Sequence, residues 1–301
     1  MKKLILNSYA KLNLYLEVLN KRKDNYHNIK TIFERISLCD KIILKARPDK
    51  KIKIISRAKN LPKDSSNFAY RSAQLLQDTL NITRGVDIKI IKRIPLSSGL
   101  GGGSSNAASV LVGLNKLWRL GLGRNRLVSL AKKIGSDIPF FIYNIPFAQG
   151  EARGDRIRVL KAIQRLRLWH ILVVPDIKVS TPAIYKSWDR ISASGVTSGE
   201  FEGLTRPRYD VKILPSALKK RDFTLISGAL FNSLQQVTTR LYPELIRIKE
   251  KLNRLGLESI LMSGSGPAIF GICYSRKEAV SLCRQLKREK RSWQIFVTRT
   301  V

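Results

Sequence analysis

The sequence predicts an α+β fold in two lobes, and three observations carry that expectation. The chain has 301 residues, more than one hydrophobic core usually organises. It opens in short β-rich runs and then mixes helices and strands without the strict alternation of a doubly wound sheet. A glycine-rich stretch at residues 95–108 stands between a strand-like run and a helix-like one.

The opening runs, residues 4–6, 12–19, 29–37, 42–45 and 52–55, are separated by polar breaks and predict a mostly antiparallel sheet. Lys11 interrupts one of them in an apolar setting, where an unpaired cation is costly. It therefore has either a carboxylate or phosphate partner or a place on an edge strand facing water. Asp24, Asn25, Tyr26 and His27 follow a basic turn and set an aromatic ring beside an imidazole at a strand entrance. Ser66 or Asn67 opens a helix through Leu80, with Ala69, Ala73 and Leu76 on one face.

Residues 86–91 alternate as a strand, and Ala107, Val110, Leu111, Leu114 and Trp118 recur at helical spacing after the glycines. Ser104 or Ser105 is placed as N-cap of that helix. Amides freed by glycine geometry at the positive end of a helix form an anion site, most naturally one for nucleotide phosphates. A P-loop is excluded because no lysine follows the last glycine, and a dinucleotide fingerprint is excluded because Ser104 occupies its third glycine position. A flexible Gly/Ser linker is the plainer alternative, but linkers are not normally wedged between a strand and an amphipathic helix.

Leu127, Leu130, Ala131 and Ile134 mark a helix ending at Gly135. Asp137 follows in a turn, either as an ordinary turn acid or as a carboxylate held at a pocket wall. The second lobe starts near residue 160, with a buried strand at 171–174 and a helix capped by Thr181 before Pro182. Residues 192–208 are polar and predict a loop; helices follow at 223–231 and 243–255, and strands at 260–262 and 269–273 flank a second glycine turn at 263–267. Ser275 and Glu278 form a capping box, and 294–298 closes as a strand.

Composition bounds the function classes. Lys+Arg 56 against Asp+Glu 22 gives a formal charge of +34, a field that concentrates polyanions such as ATP, RNA or an anionic membrane. The cations are spread along the chain, which favours a solvated basic surface over a nucleic-acid site. Three scattered cysteines exclude a disulfide framework and a Cys-x-x-Cys zinc site, and point to buried, reduced thiols. No apolar run has the length of a membrane span and no signal-peptide core follows Met1, so the expected location is the cytoplasm. The expected assembly is a monomer or a weak dimer, and no residue is assigned as a direct metal ligand.

Residues 95–108 resemble the second motif of the GHMP small-molecule kinases, and the run from Gly99 to Ala108 resembles the branch acting on diphosphocytidyl methylerythritol. The likeness extends to residues 10–14, 24–27, 135–141 and 263–267, in the same order. It implies a GHMP kinase fold, with a lobe like the second domain of ribosomal protein S5 at 1–160 and a ferredoxin-like lobe at 161–301. It also implies ATP-dependent phosphorylation of the 2-hydroxyl of 4-diphosphocytidyl-2-C-methyl-D-erythritol, with Mg²⁺ on the phosphates.

By the same resemblance Lys11 and Asp137 are catalytic. Pro95, Leu96, Ser97, Ser98, Gly99, Leu100, Gly101, Gly102, Gly103, Ser104 and Ser105 hold ATP, with Asn67 near the adenine. Asn13, Tyr26, His27, Thr181 and Tyr185 face the substrate, Tyr185 stacking opposite Tyr26. The chain departs from the family at Asn25 and Ala152, where glycine is usual, and at residues 144–146. Another GHMP kinase and an RNA-binding protein on this fold are the alternatives. The Tyr26 and His27 pair argues against the first, the dispersed charge against the second.

Overall fold

The computed structural model describes residues 3–193, 207–289 and 292–301; most of the loop expected at 192–208 lies outside the described residues. The chain begins with two long antiparallel strands, β1 (Lys3–Lys21) and β2 (His27–Arg47), and a short β3 (Ile52–Ile55). Helix α1 (Phe68–Leu80), strand β4 (Gly85–Ile91), and helices α2 (Gly102–Leu117), α3 (Arg124–Ile134) and α4 (Ile138–Tyr143) follow. Hairpin β5 (Phe147–Glu151) and β6 (Arg156–Val159) completes this part.

Four expected runs thus fuse into two strands. The polar breaks do not end the backbone ladder, because their side chains find buried partners. Ser8 donates to Ser105 Oγ at 2.7 Å, and Asp40, fully buried, accepts from Asn106 Nδ2 at 2.9 Å. The register between β1 and β2 shifts between Tyr9 and Ala10 and again between Asn13 and Tyr15. Such bulges bend a strand and re-aim its side chains, and here they flank Lys11 and Asn13. The bend also lets one edge of β2 pair with β4 along Lys41–Arg47 and with β5 along Thr31–Glu34.

The rest of the chain runs β7 (Trp169–Val174), α5 (Thr181–Ala193), α6 (Ile213–Lys220), α7 (Phe223–Ala229), β8 (Phe231–Asn232), α8 (Ser233–Leu241) and α9 (Glu244–Arg254). It closes with β9 (Ile260–Met262), β10 (Ile269–Cys273), α10 (Arg276–Glu289) and β11 (Gln294–Arg299). The helix expected at 223–231 stops at Ala229, because Phe231 leaves it to pair in parallel with Tyr15 of β1. Helices α6 and α8 were not expected. The helix expected to be capped by Thr181 already includes that residue, and Ile184 N bonds to Ser180 O at 3.0 Å. Of the three cysteines, all free, only Cys273 is fully buried.

The first sheet has the order β3-β4-β2-β1-β8, and the second β11-β7-β10-β9. Strands up to Val159 lie in the first sheet and those from Trp169 in the second, except the two-residue β8. Alternation along β7 decides what each face covers. Ile171 and Val173 pack with Ile184, Leu245 and Leu282 of the surrounding helices, whereas Leu172 and Val174 join Ala10, Leu12, Leu14 and Ile36 in a core between the sheets. With Leu12 and Leu14 committed to that core, Lys11 and Asn13 point the other way. Among the described residues no helix is long and apolar enough to cross a membrane.

Candidate active site

A cleft of about 850 Å³ lies where β1, the glycine stretch, the start of α4 and α5 converge. One end of it is built around the turn between β4 and α2. Asp40 anchors the turn's beginning by accepting from the amides of Arg93 at 2.8 Å and Ile94 at 2.9 Å and from the Lys92 ammonium. Lys11 N donates to Leu100 O at 3.0 Å, so β1 grips the turn's middle.

The cap of α2 corrects the sequence reading. Gly101 is the N-cap, at φ 68°, and the helix starts at Gly102 rather than after Ser104 or Ser105. A left-handed glycine lets the chain enter the helix without a hydroxyl cap, and a Cβ there would also press on Lys11 Cγ at 3.0 Å and Phe141 Cζ at 3.1 Å. The first intrahelical bond is Ser105 N to Gly101 O, 2.8 Å. The amides of Gly102, Gly103 and Ser104 therefore precede the ladder, and all three residues line the cleft. Ser105 does not: it is buried, its hydroxyl bonded to Ser8.

The second glycine turn packs against the first. Ala268 N donates to Ser98 O and Ser263 Oγ to Gly99 O, each at 3.2 Å. A Cβ on Gly99 would stand 2.2 Å from Ser263 O, so glycine is required by close approach as well as by its φ of 76°.

Lys11 is 4 % exposed, which removes the water-facing alternative. Its Nζ lies 3.5 Å from Asp137 Oδ2 and donates to Asn13 Oδ1. Asn13 uses its amide on Thr31 Oγ1 at 2.8 Å, which fixes the oxygen toward Lys11. Asp137 stands at the N-cap of α4 but caps nothing with its side chain, so the carboxylate is free to face the cleft it lines. The ordinary turn acid is thereby the weaker alternative.

At the other end His27 is buried, stacked on Tyr185 (centroids 5.0 Å, 27° between planes) and edge-on to Trp188 at 5.5 Å. Tyr26 is half exposed, with the Arg153 guanidinium 5.0 Å from its ring centre. Within the protein Tyr185 stacks on His27. Thr181 bonds Ser265 Oγ at 2.7 Å, joining α5 to the second glycine turn. Burial, with the Asp137 charge nearby, pushes the Tyr185 phenol well above its ordinary value, so it stays protonated.

Every expected site residue except Ser105 and Asn67 lines this cleft. Asn67 caps α1, accepting from Ala69 N at 2.9 Å and donating to Pro62 O at 2.7 Å. Lys92 and Asp189 line the cleft without having been singled out. Asp189 was legible in principle, since Tyr185, Trp188 and Asp189 at i, i+3 and i+4 share one helix face.

Among the described residues there is no group of three or more His, Cys, Asp or Glu side chains that could cage a metal. The oxygen donors beside the glycine turn, Asp137 and the Ser104 hydroxyl, would suit Mg²⁺ arriving on a nucleotide, since that ion needs few protein ligands.

The model of the GHMP kinase N-terminal domain matches residues 67–144, and that of the C-terminal domain matches 216–291. A 4-diphosphocytidyl-2-C-methyl-D-erythritol kinase of Geobacillus sp. (strain WCH70) is 41% identical over 272 residues, covering 90% of this chain and 88% of the relative. The protein of that name from Bacillus cytotoxicus is 39% identical over 90% of this chain and 89% of its own. A crystal structure of 4-(cytidine 5'-diphospho)-2C-methyl-D-erythritol kinase superposes with a TM-score of 0.78 at 29% identity, covering 99% of this chain and 100% of the other. L. major mevalonate kinase, at 17% identity and a TM-score of 0.74, shares the fold. The chain belongs to the GHMP kinase family, among the relatives named as 4-diphosphocytidyl-2-C-methyl-D-erythritol kinases.

Proposed function

We propose that the protein transfers the γ-phosphoryl group of ATP to the 2-hydroxyl of 4-diphosphocytidyl-2-C-methyl-D-erythritol, between lobes at 1–160 and 161–301. The observation that carries this reading is the meeting of the free α2 amides, the Lys11 and Asp137 pair and an aromatic pocket in one cleft. The amides of Gly102, Gly103 and Ser104, with the positive end of the α2 dipole, receive the phosphates. The aromatic end, with Tyr26, His27 and Tyr185, holds the cytosine, leaving the methylerythritol between the two.

Phosphoryl transfer depends chiefly on positioning and charge. Asp137 accepts the proton of the 2-hydroxyl as its oxygen bonds to phosphorus and the bond to ADP breaks. Lys11, held by Asn13 beside that carboxylate, orients it and neutralises charge on the moving group. Ser104 is the candidate protein contact that would hold Mg²⁺, which would supply positive charge against the nucleotide phosphates.

Coupled ADP release with this substrate tests the reading. In Asp137→Asn turnover falls by about 10²–10⁴-fold, while ATP binding measured by calorimetry is retained, because base and phosphate cradle are separate parts. Equal turnover in both proteins would remove Asp137 from the mechanism.

A further inference from the structure

Asp189 takes part in none of those steps, yet it stands against the imidazole of the cleft. His27 Nε2 lies 2.5 Å from Asp189 Oδ1, and Lys21 Nζ lies 2.7 Å from Oδ2. Burial works to raise this carboxyl, but the bonds from Lys21 and His27 outweigh it and hold it below the usual carboxylate range. An ionised carboxylate can only accept, so Nε2 carries a proton. The ring stacks on Tyr185 and meets Trp188 edge-on, and only 4 % of the side chain is exposed, so this packing holds the ring with Nε2 toward Asp189. Nδ1 bonds no protein group among the described residues and is not sealed off, and the residue lines the cleft.

A neutral imidazole protonated on Nε2 has a bare Nδ1, which is an acceptor. Facing a pyrimidine, it takes a hydrogen bond from an exocyclic amine but opposes a carbonyl oxygen lone pair to lone pair. We propose that Asp189 is a specificity-determining positioning residue: its bond to His27 holds Nδ1 toward the cleft as an acceptor, so that the site takes an aminopyrimidine nucleotide and rejects its keto counterpart. This rests on the reading of His27 as the group that meets the base. The Lys21 ammonium is part of the device, since it keeps the second carboxylate oxygen occupied.

The test compares wild type, Asp189→Asn and Asp189→Glu as full chains. Asparagine can donate to Nε2 as well as accept from it, so both tautomers become available; glutamate keeps the carboxylate. The readouts are kcat and KM for the cytidine substrate and its uridine counterpart, calorimetric Kd for CDP and UDP, and the ¹⁵N resonances of His27, one of two histidines in the chain. In Asp189→Asn the cytidine preference falls about tenfold or more through KM and Kd, with kcat for the cytidine substrate kept within about threefold. Asp189→Glu recovers part of the preference, and wild-type Nδ1 resonates as an unprotonated nitrogen. An unchanged preference overturns the proposal, as does a parallel weakening of both nucleotides together with a lowered unfolding midpoint, which marks a merely structural joint. If wild type releases no ADP yet prefers CDP over UDP, and Asp189→Asn erases that preference, the kinase reading fails and the positioning role stands.

Discussion

Lys11 shows how a residue's cost and its use coincide. A buried ammonium persists only with partners, and Asp137 at 3.5 Å and Asn13 supply them. Lys11→Met, close in volume, removes the charge and leaves Asp137 without its cation. The expected loss is about 10²–10³-fold in kcat, checked by steady-state ADP release. The need for a partner was legible in the apolar run around Lys11; which carboxylate answers it, 126 positions on, was not. Ala152 carries the opposite lesson. It sits at φ 57° in the β5–β6 hairpin, a left-handed conformation that a Cβ penalises by about 1–2 kcal/mol. Ala152→Gly is expected to stabilise the protein by about 1 kcal/mol, measured by denaturant titration, and an unchanged midpoint would refute the strain. Asn25 and Asn144, at φ 63° and 53°, occupy the same region with a residue that tolerates it better.

Among elements, the paired glycine turns carry the site. The first is legible from its strand and helix neighbours, but its cap is not, because hydroxyl residues are the usual caps and a left-handed glycine leaves no separate signal. Gly99→Ala brings a Cβ against Ser263 O and adds backbone strain, so about 2–3 kcal/mol of stability and most of the ATP affinity should be lost. Thermal unfolding and calorimetric titration with ATP check this, and wild-type affinity would show that the two turns need not touch. The second turn is also held by Asn232, which caps α8 through Leu234 N and donates to Met262 O at 2.7 Å and Gly264 O at 2.8 Å. Helix α8, like the proline-bearing α6, is too short for its period to be distinct in sequence.

Across the whole molecule the two sheets are joined through a buried polar contact. Glu34 and His170 are fully buried, their Oε1 and Nε2 2.9 Å apart, and Thr300 donates to the same Glu34 oxygen at 2.5 Å. This links β2, β7 and the end of the chain. Glu34→Ala strands His170 in the core, with an expected cost of roughly 2–4 kcal/mol read as a lower denaturation midpoint with kcat at permissive temperature retained. The formal charge of +34 acts at the same scale. Lys92, Lys186 and Arg153 line the cleft beside Lys11 and Lys21, so anionic substrates are drawn in by a field that salt screens. Raising ionic strength from about 0.05 to 0.5 M should raise KM for ATP several-fold with little change in kcat; a flat KM would separate the net charge from the function.

Local chemistry was enough for the sequence to determine the α+β class, the glycine turn between a strand and a helix, and the resemblance that names Lys11 and Asp137, because strand period, glycine spacing and caps act between near neighbours. Only the tertiary structure decided that two bulges aim Lys11 at Asp137, that Asn67 and Ser105 lie off the lining of the cleft, and that His27 meets Tyr185 and Asp189. Those outcomes depend on which distant segments share space, and neither burial nor a hydrogen-bond partner is a property of one stretch of chain.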